Sequence, residues 1–240
     1  MAEQEVIKHV KKVFGIWQQP GAGFWLKIRE FVLEIVIIVF AVTVSIALHD
    51  ASEKKHLAHE TKEFLLGLRL DLKNDIMEMQ EDKKSYFSNK AAFTYFSNMP
   101  INTPPHPDSL KLYQTWLFST TSLVPNNGRF EGFKSAGKIT NISPLELQNN
   151  ILDLYQEDIS SLLNRTSTYN NRKDVLIQYI LQHQRRITDS TNNLRTILAS
   201  EEVHNISSSL KKVGGILEKY DQCIEHMQAI VRDIELLYHP

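Results

Sequence analysis

The run of apolar residues from 31 to 48 constrains this chain more than any other feature. It reads FVLEIVIIVFAVTVSIAL and carries one charged residue, Glu34. As an α-helix it would be roughly 27 Å long, close to the hydrocarbon thickness of a bilayer, about 30 Å. Lys27 and Arg29 precede it and can reach the lipid headgroups, and Trp25 suits the interface. The run therefore predicts a transmembrane helix.

Two other structures can accommodate an apolar run of this length. A buried core helix normally keeps a polar stripe along one face, and residues 35–42 have none. A cleaved signal peptide has a short charged segment before its apolar core and a cleavage site beyond it. Here the small-x-small triplet at 45–47 lies inside the run. We therefore predict a retained anchor over residues 24–48.

Basic residues on the two sides of the anchor set its predicted orientation. The N-terminal side has a small excess: Lys11, Lys12, Lys27 and Arg29 precede the run, and Lys54, Lys55 and Lys62 follow it. Basic flanks stay on the cytoplasmic side, and long domains translocate regardless of charge. We expect a bacterial inner-membrane protein with a cytoplasmic N-terminus and a periplasmic domain over residues 49–240.

Residues 6–17 form a second pattern related to membranes. Apolar side chains recur at helical spacing on one face and end at Trp17, while lysines occupy the other faces. Such a basic amphipathic helix binds an anionic membrane surface or, alternatively, a partner protein. The sequence QQPGAG at 18–23 ends the helix, so residues 1–23 form a separate segment. Trp17 joins Trp25, Lys27 and Arg29 as a predicted interfacial anchor.

Three stretches with apolar residues at heptad spacing follow the anchor, and no proline interrupts the chain before Pro100. The first comprises Leu65, Leu68, Leu72, Ile76 and Met79; the second Leu152, Tyr155, Ile159, Leu162, Thr166, Tyr169, Lys173, Leu176, Ile180, His183 and Ile187; the third Leu210, Val213, Leu217, Tyr220, Ile224, Met227, Val231 and Ile234. We predict an all-α fold in which the transmembrane helix continues into a long extramembrane helix. The three long helices that carry the heptad stretches form an antiparallel bundle with short accessory helices.

Local signals refine this prediction. Polar Thr166, Lys173 and His183 in the second seam indicate either register control or a hydrated core. Ser143, followed by proline and then by glutamate at the third helical position, predicts a capping box at the start of the second helix. Cys223 is the single cysteine, so an intramolecular disulfide is excluded, and we interpret it as a small residue near a seam.

Composition and motifs argue against catalysis and nucleic-acid binding. The 27 basic residues are balanced by 28 acidic ones, so a basic surface for phosphates is not expected. Phosphate loops, nucleophile elbows and zinc-protease motifs are absent from the sequence. His56, His59, Glu60 and Glu63 share a helix face and suggest either metal ligands or, more commonly, a solvated face. We predict a protein that is not an enzyme and has no cofactor, metal or nucleic-acid partner.

Glu34 is the most unusual residue of the anchor, because a carboxylate in a membrane helix is a functional hypothesis by default. It can reach interfacial water, pair with a partner helix or carry a proton. Ala41 and Ser45 continue its face at i+7 and i+11, and such small residues allow helices to approach closely. Thr43 and Ala47 have the same spacing on another face. Glu34, Ala41 and Ser45 are the predicted membrane-helix interface, with lipid and a second copy or other membrane subunits as partners.

Three segments resemble a family of single-pass helical membrane proteins of unknown function from Gram-negative bacteria. They are LEIVIIV at 33–39 with IAL at 46–48, the leucine- and aspartate-rich helix at 64–76, and KSAGKI at 134–139 before the helix start at 145–147. Members carry a tryptophan soon after the anchor, where this chain has Ala51. The resemblance covers residues 24–160 and implies an anchor with a helical domain, without implying an activity.

These observations favour a non-enzymatic scaffold or accessory subunit of a bacterial envelope complex, which interacts through its anchor and helical bundle. Two alternatives belong to other classes. A periplasmic helical bundle can bind a ligand and relay the signal through a partner. An ion-driven, stator-like subunit would use Glu34 for proton transfer.

Overall fold

A computed structural model describes residues 24–188 and 191–238, apart from the side chains of Phe24, Leu26, Lys27 and Glu30. The amphipathic helix predicted over residues 6–17 lies outside this range. The described residues form helices and no β-strand, which confirms the all-α class. By its contacts the chain divides into two compact units, Met1–Thr61 and Lys62–Pro240.

The helices are named here in chain order. They are α1 (Phe24–Asn98), α2 (Pro107–Phe118), α3 (Gly128–Ser135), a 3₁₀ turn (Lys138–Asn141), α4 (Leu145–Asp153), a π turn (Leu154–Asp158), α5 (Ile159–His183), α6 (Leu194–Leu198), α7 (Glu201–Leu210) and α8 (Gly214–Tyr238). Helix α1 runs without a break from the apolar run to Asn98, as predicted, and ends two residues before Pro100 because proline cannot continue a helix.

The apolar run of α1 lies in the first unit with most of its side chains exposed. Val36, Phe40 and Leu48 are 57%, 70% and 67% exposed. Among the described residues, one helix is long and apolar enough to cross a membrane, and it lies near the N-terminus. The core helix of a soluble domain would bury these side chains.

The core of the second unit is built on the first predicted seam. Leu65, Leu68, Leu72 and Met79 are buried, and Ile76 is partly buried against the core. Helices α5 and α8 supply the largest part of the remaining core, with contributions from α2, α3, α4, α6 and α7. The first apolar seam is therefore buried as its spacing predicted.

The second seam departs from one continuous heptad pattern. A π turn at Leu154–Asp158 adds an extra residue to the helical turn, so Leu154 and Tyr155 are both buried. Before this turn the seam follows Leu147 and Ile151, and the predicted Leu152 is only partly buried. The predicted seam was also too long, because α5 ends at His183 with that histidine and Ile187 exposed.

The start of the third long helix was placed wrongly in the sequence. Helix α7 ends at Leu210, a turn follows, and α8 begins at Gly214. Two adjacent glycines destabilise a helix interior but are tolerated at its first positions, where the chain still changes direction. Gly214 and Gly215 therefore mark a helix start rather than a position within a heptad run.

The capping box predicted at Ser143 is also wrong. Pro144 itself is the N-cap residue, with ψ 163°, and α4 begins at Leu145 without a side-chain capping hydrogen bond. Because Pro144 is extended, Ser143 lies one residue too early to cap the helix. A serine cap occurs instead at Ser200, whose Oγ accepts a hydrogen bond from the Val203 amide at the start of α7.

Candidate functional site

The predicted membrane-helix interface combines one buried residue with exposed small ones. Glu34 is 5% exposed, whereas the neighbouring Ile35 and Val36 are 41% and 57% exposed. Ala41 and Ser45 are exposed, and helical geometry places them on the face of Glu34. Small exposed residues on an apolar helix leave room for a second helix to approach.

The predicted interfacial residues are described in part. Trp25 is 81% exposed and Arg29 is exposed, as an interfacial role requires. Trp17 and the side chain of Lys27 lie outside the described residues. The two described side chains are therefore accessible at the surface.

On the histidine- and glutamate-rich face beyond the apolar run, His56 lies close to Glu60. His56 Nδ1 lies 3.7 Å from Glu60 Oε1, and the His56 side chain is 72% exposed. Within the described residues, no three His, Cys, Asp or Glu side chains are grouped to hold a metal ion. This arrangement is that of a solvated helix face.

Three polar residues, Asp75, Asp82 and Asn89, continue the apolar seam of α1 at heptad spacing. Asp75 and Asn89 are 0% and 1% exposed. None of the three was predicted from the sequence, although the heptad spacing 68, 72, 75, 79, 82, 86, 89 indicates buried positions. Burying polar groups is unfavourable unless they are hydrogen-bonded, so their partners determine how this core can assemble.

The two aspartates bind groups from other elements. Asp75 Oδ1 accepts hydrogen bonds from the Asn126 backbone amide at 3.1 Å and from its side-chain amide at 2.6 Å. Asp82 Oδ2 accepts one from the Tyr220 hydroxyl at 2.8 Å. Burial raises the pKa of both carboxyl groups, and these hydrogen bonds oppose that shift. Asp75 thus fixes the segment before α3, and Asp82 fixes α8.

Lys173 is the most deeply buried cation of the second unit, at 1% exposure. Its Nζ donates to Asn89 Oδ1 at 2.7 Å and to the Ser119 carbonyl oxygen, and it lies 5.5 Å from the centre of the Phe93 ring. These contacts join α5, α1 and the chain after α2. Burial lowers the pKa of Lys173 from 10.5 to about 8.

This buried ammonium makes stability depend on pH. Between about pH 7.5 and pH 10 the unfolded chain keeps the Lys173 proton while the folded chain loses it. The unfolded state then binds more protons, so stability rises with pH. Relative to Lys173→Met, the wild-type protein should gain about 2 kcal/mol of unfolding free energy over this range. Urea unfolding of both proteins at the two pH values checks this, and a difference that does not change with pH would contradict it.

The residues around Cys223 form a structural ion pair. Asp158 accepts hydrogen bonds from Lys219 Nζ at 2.6 Å and interacts with His226 Nδ1 at 2.6 Å. Burial raises the pKa of Asp158, but these two partners outweigh burial and lower it. Burial also raises the pKa of the Cys223 thiol to about 11, which keeps it protonated at neutral pH. Cys223 is therefore a small buried core residue, as its position near the seam predicted.

Comparison with models of known protein families, with curated proteins and with solved structures finds no match for this chain. Any function of the chain must therefore be inferred from its residues. Two features are the most unusual. One is the exposed apolar run with its Glu34 face, and the other is a helical unit whose core contains hydrogen-bonded polar side chains.

Proposed function

We propose that this chain is a non-enzymatic, membrane-anchored scaffold or accessory subunit of a bacterial envelope complex. The observation that carries the proposal is the exposed apolar run of α1, on which Glu34 shares one face with the small residues Ala41 and Ser45. Such a helix fits lipid on most of its circumference and a second helix on that face. The proposed partner is another membrane subunit of that complex.

The proposed location is the inner membrane of a Gram-negative cell. The N-terminus lies in the cytoplasm, because the basic residues are slightly more numerous before the apolar run than after it. The second unit, Lys62–Pro240, lies in the periplasm. A folded helical unit there presents binding surfaces to periplasmic parts of the partner.

The proposed frame of this second unit is an antiparallel bundle of three long helices: α1 beyond the membrane, α5 and α8. Pairs between α1 and α8 support it, because residue numbers rise along one helix as they fall along the other. These pairs are Lys62 with Tyr238, Lys73 with Glu235, and Lys83 with Asp221. A third helix, α5, contributes Tyr169 against Tyr86 of α1.

The anchor face can be tested with two matched pairs of substitutions. In Ala41→Ile with Ser45→Ile, larger side chains block close approach on the Glu34 face. Thr43→Ile with Ala47→Ile adds similar bulk to the other face. We expect the first pair to reduce the fraction of chain that co-purifies with its partner in mild detergent by about fivefold or more, and the second pair to change it little.

Blue-native electrophoresis with quantitative mass spectrometry of the partner measures this fraction, and membrane content of each variant is the expression control. If both double variants co-purify with equal amounts of the partner, the Glu34 face is not the interface.

A further inference from the structure

A polar groove of about 650 Å³ lies on the second unit, between α5 and the start of α8. Its wall on α5 includes Arg165 and Arg172, and Lys212 closes it from the turn before α8. The two arginines are seven residues apart, so they lie on one face of α5, separated by about 10.5 Å along its axis. All three side chains are exposed. Arg172 Nη1 donates a hydrogen bond to Ser209 Oγ at 3.5 Å.

The positive charge in this groove has little compensation. Among residues 24–188 and 191–238, no carboxylate oxygen forms an ion pair with Arg165, Arg172 or Lys212 within 4.0 Å. Glu157 is the acidic residue in the groove lining, so three cations face one anion. Some other cations on this unit do have a carboxylate partner, as Arg129 has Asp71 at 2.9 Å.

The groove also supplies neutral hydrogen-bonding groups. Ser160, Ser161 and Thr168 line it beside the arginines. Gly215, in the first turn of α8, gives Arg165 its space, because a Cβ atom there would lie 3.3 Å from Arg165 Nη1. The positive end of the α8 helix dipole lies at the same end of the groove. The first turn of α8 carries no acidic side chain that would offset it.

We propose that this groove is a binding site for an anion of the phosphate class carrying two or more negative charges. Guanidinium groups recognise phosphate oxygens in bidentate geometry, and Lys212 adds a third charge. Of the groove hydroxyl groups, that of Ser161 can donate to the oxygens, because those of Ser160 and Thr168 donate to the backbone carbonyls of Tyr155 and Asn164. The phosphate comes either from a soluble phosphorylated compound or from the headgroup of a phosphomonoester lipid. A nucleic-acid strand fits poorly, because the chain as a whole has a net charge of −1.

The test titrates the purified full chain, held in nanodiscs of phosphatidylcholine, by calorimetry. One arm uses inorganic pyrophosphate and the other uses dihexanoyl phosphatidic acid below its micelle concentration. Arg165→Gln with Arg172→Gln removes two groove charges. Lys90→Gln with Lys111→Gln removes two exposed charges elsewhere and is the matched control. Chloride at equal ionic strength controls for screening.

We expect saturable binding of at least one probe, weakened about tenfold or more in the groove variant and within about twofold of wild type in the control. The probe that binds identifies the source of the phosphate. Absence of saturable binding by both probes overturns the proposal, and so does equal weakening in both variants, which would reflect net charge alone. If the groove variant fails to fold, Lys212→Gln compared with Lys111→Gln gives the same test.

Discussion

Replacing Tyr86 by alanine should lower the free energy of unfolding by about 3–5 kcal/mol, one of the two largest effects expected in this molecule. Tyr86 is fully buried where α1 meets α5 and α8, with its ring 5.3 Å from that of Tyr169 and 5.7 Å from that of Tyr220. Truncation leaves a cavity shared by all three helices, which the surrounding side chains fill only in part. Urea unfolding of the full chain in detergent, followed by circular dichroism, measures the change.

Two further variants separate packing from hydrogen bonding. Tyr86→Phe removes the hydroxyl that donates to the Thr121 carbonyl at 3.0 Å, but the Asn170 side-chain amide still donates to that carbonyl at 3.1 Å. We expect it to cost about 1 kcal/mol. Phe87→Ala removes an aromatic ring that is 54% exposed and should cost less than Tyr86→Ala. If Phe87→Ala costs as much as Tyr86→Ala, the position of the core in α1 is wrong.

The second large effect concerns the apolar run. Val39→Arg with Val42→Arg should abolish stable membrane integration, because each arginine at the centre of a membrane helix is unfavourable by about 2.5–3.5 kcal/mol. Both valines are exposed, at 58% and 42%, so packing against the rest of the protein does not account for a loss. The fraction of chain that stays in the membrane pellet after alkaline extraction measures integration.

Val39→Leu with Val42→Leu is the matched control, since it changes the same positions and keeps them apolar. We expect its pellet fraction to equal that of wild type. Full retention of the arginine variant in the alkaline pellet would contradict a transmembrane role for residues 31–48.

The sequence predicted the apolar part of this fold well because burial follows helical periodicity. Leu65, Leu68 and Leu72 are buried as their spacing requires. Breaks in the periodicity were harder to predict. The π turn at Leu154–Asp158 changes the seam without proline or glycine, so nothing local distinguishes it from a regular helix. Gly214 and Gly215 did carry a signal for a helix start, but the heptad pattern on both sides masked it.

Polar sites depend on tertiary partners that a sequence pattern does not supply. Lys173 was correctly singled out as a polar residue in a seam, yet its acceptors come from Asn89 on α1 and from the carbonyl of Ser119. Pairing with neutral groups explains how a charge is accommodated without a nearby carboxylate. Of the two interpretations of this seam, the contacts favour register control, since Lys173 finds its acceptors only when α1 and α5 are aligned in this way.

The groove is a second polar site that depends on tertiary structure. Arg165 and Arg172 share a face of α5 by spacing alone, but Lys212 joins them only through the turn between α7 and α8. Anion binding there would give the sensor hypothesis a ligand without changing the proposed role of the anchor. The resemblance to single-pass helical membrane proteins of Gram-negative bacteria remains a prediction, and so does proton transfer by Glu34.

The most direct test of the accessory-subunit proposal is the mass and protein content of the complex extracted from native membranes in mild detergent. We predict a complex heavier than the 27.7 kDa chain that contains a second membrane protein in fixed stoichiometry. The identity of that protein would name the process served. A lone protomer, or an assembly containing this chain alone, would contradict the proposal.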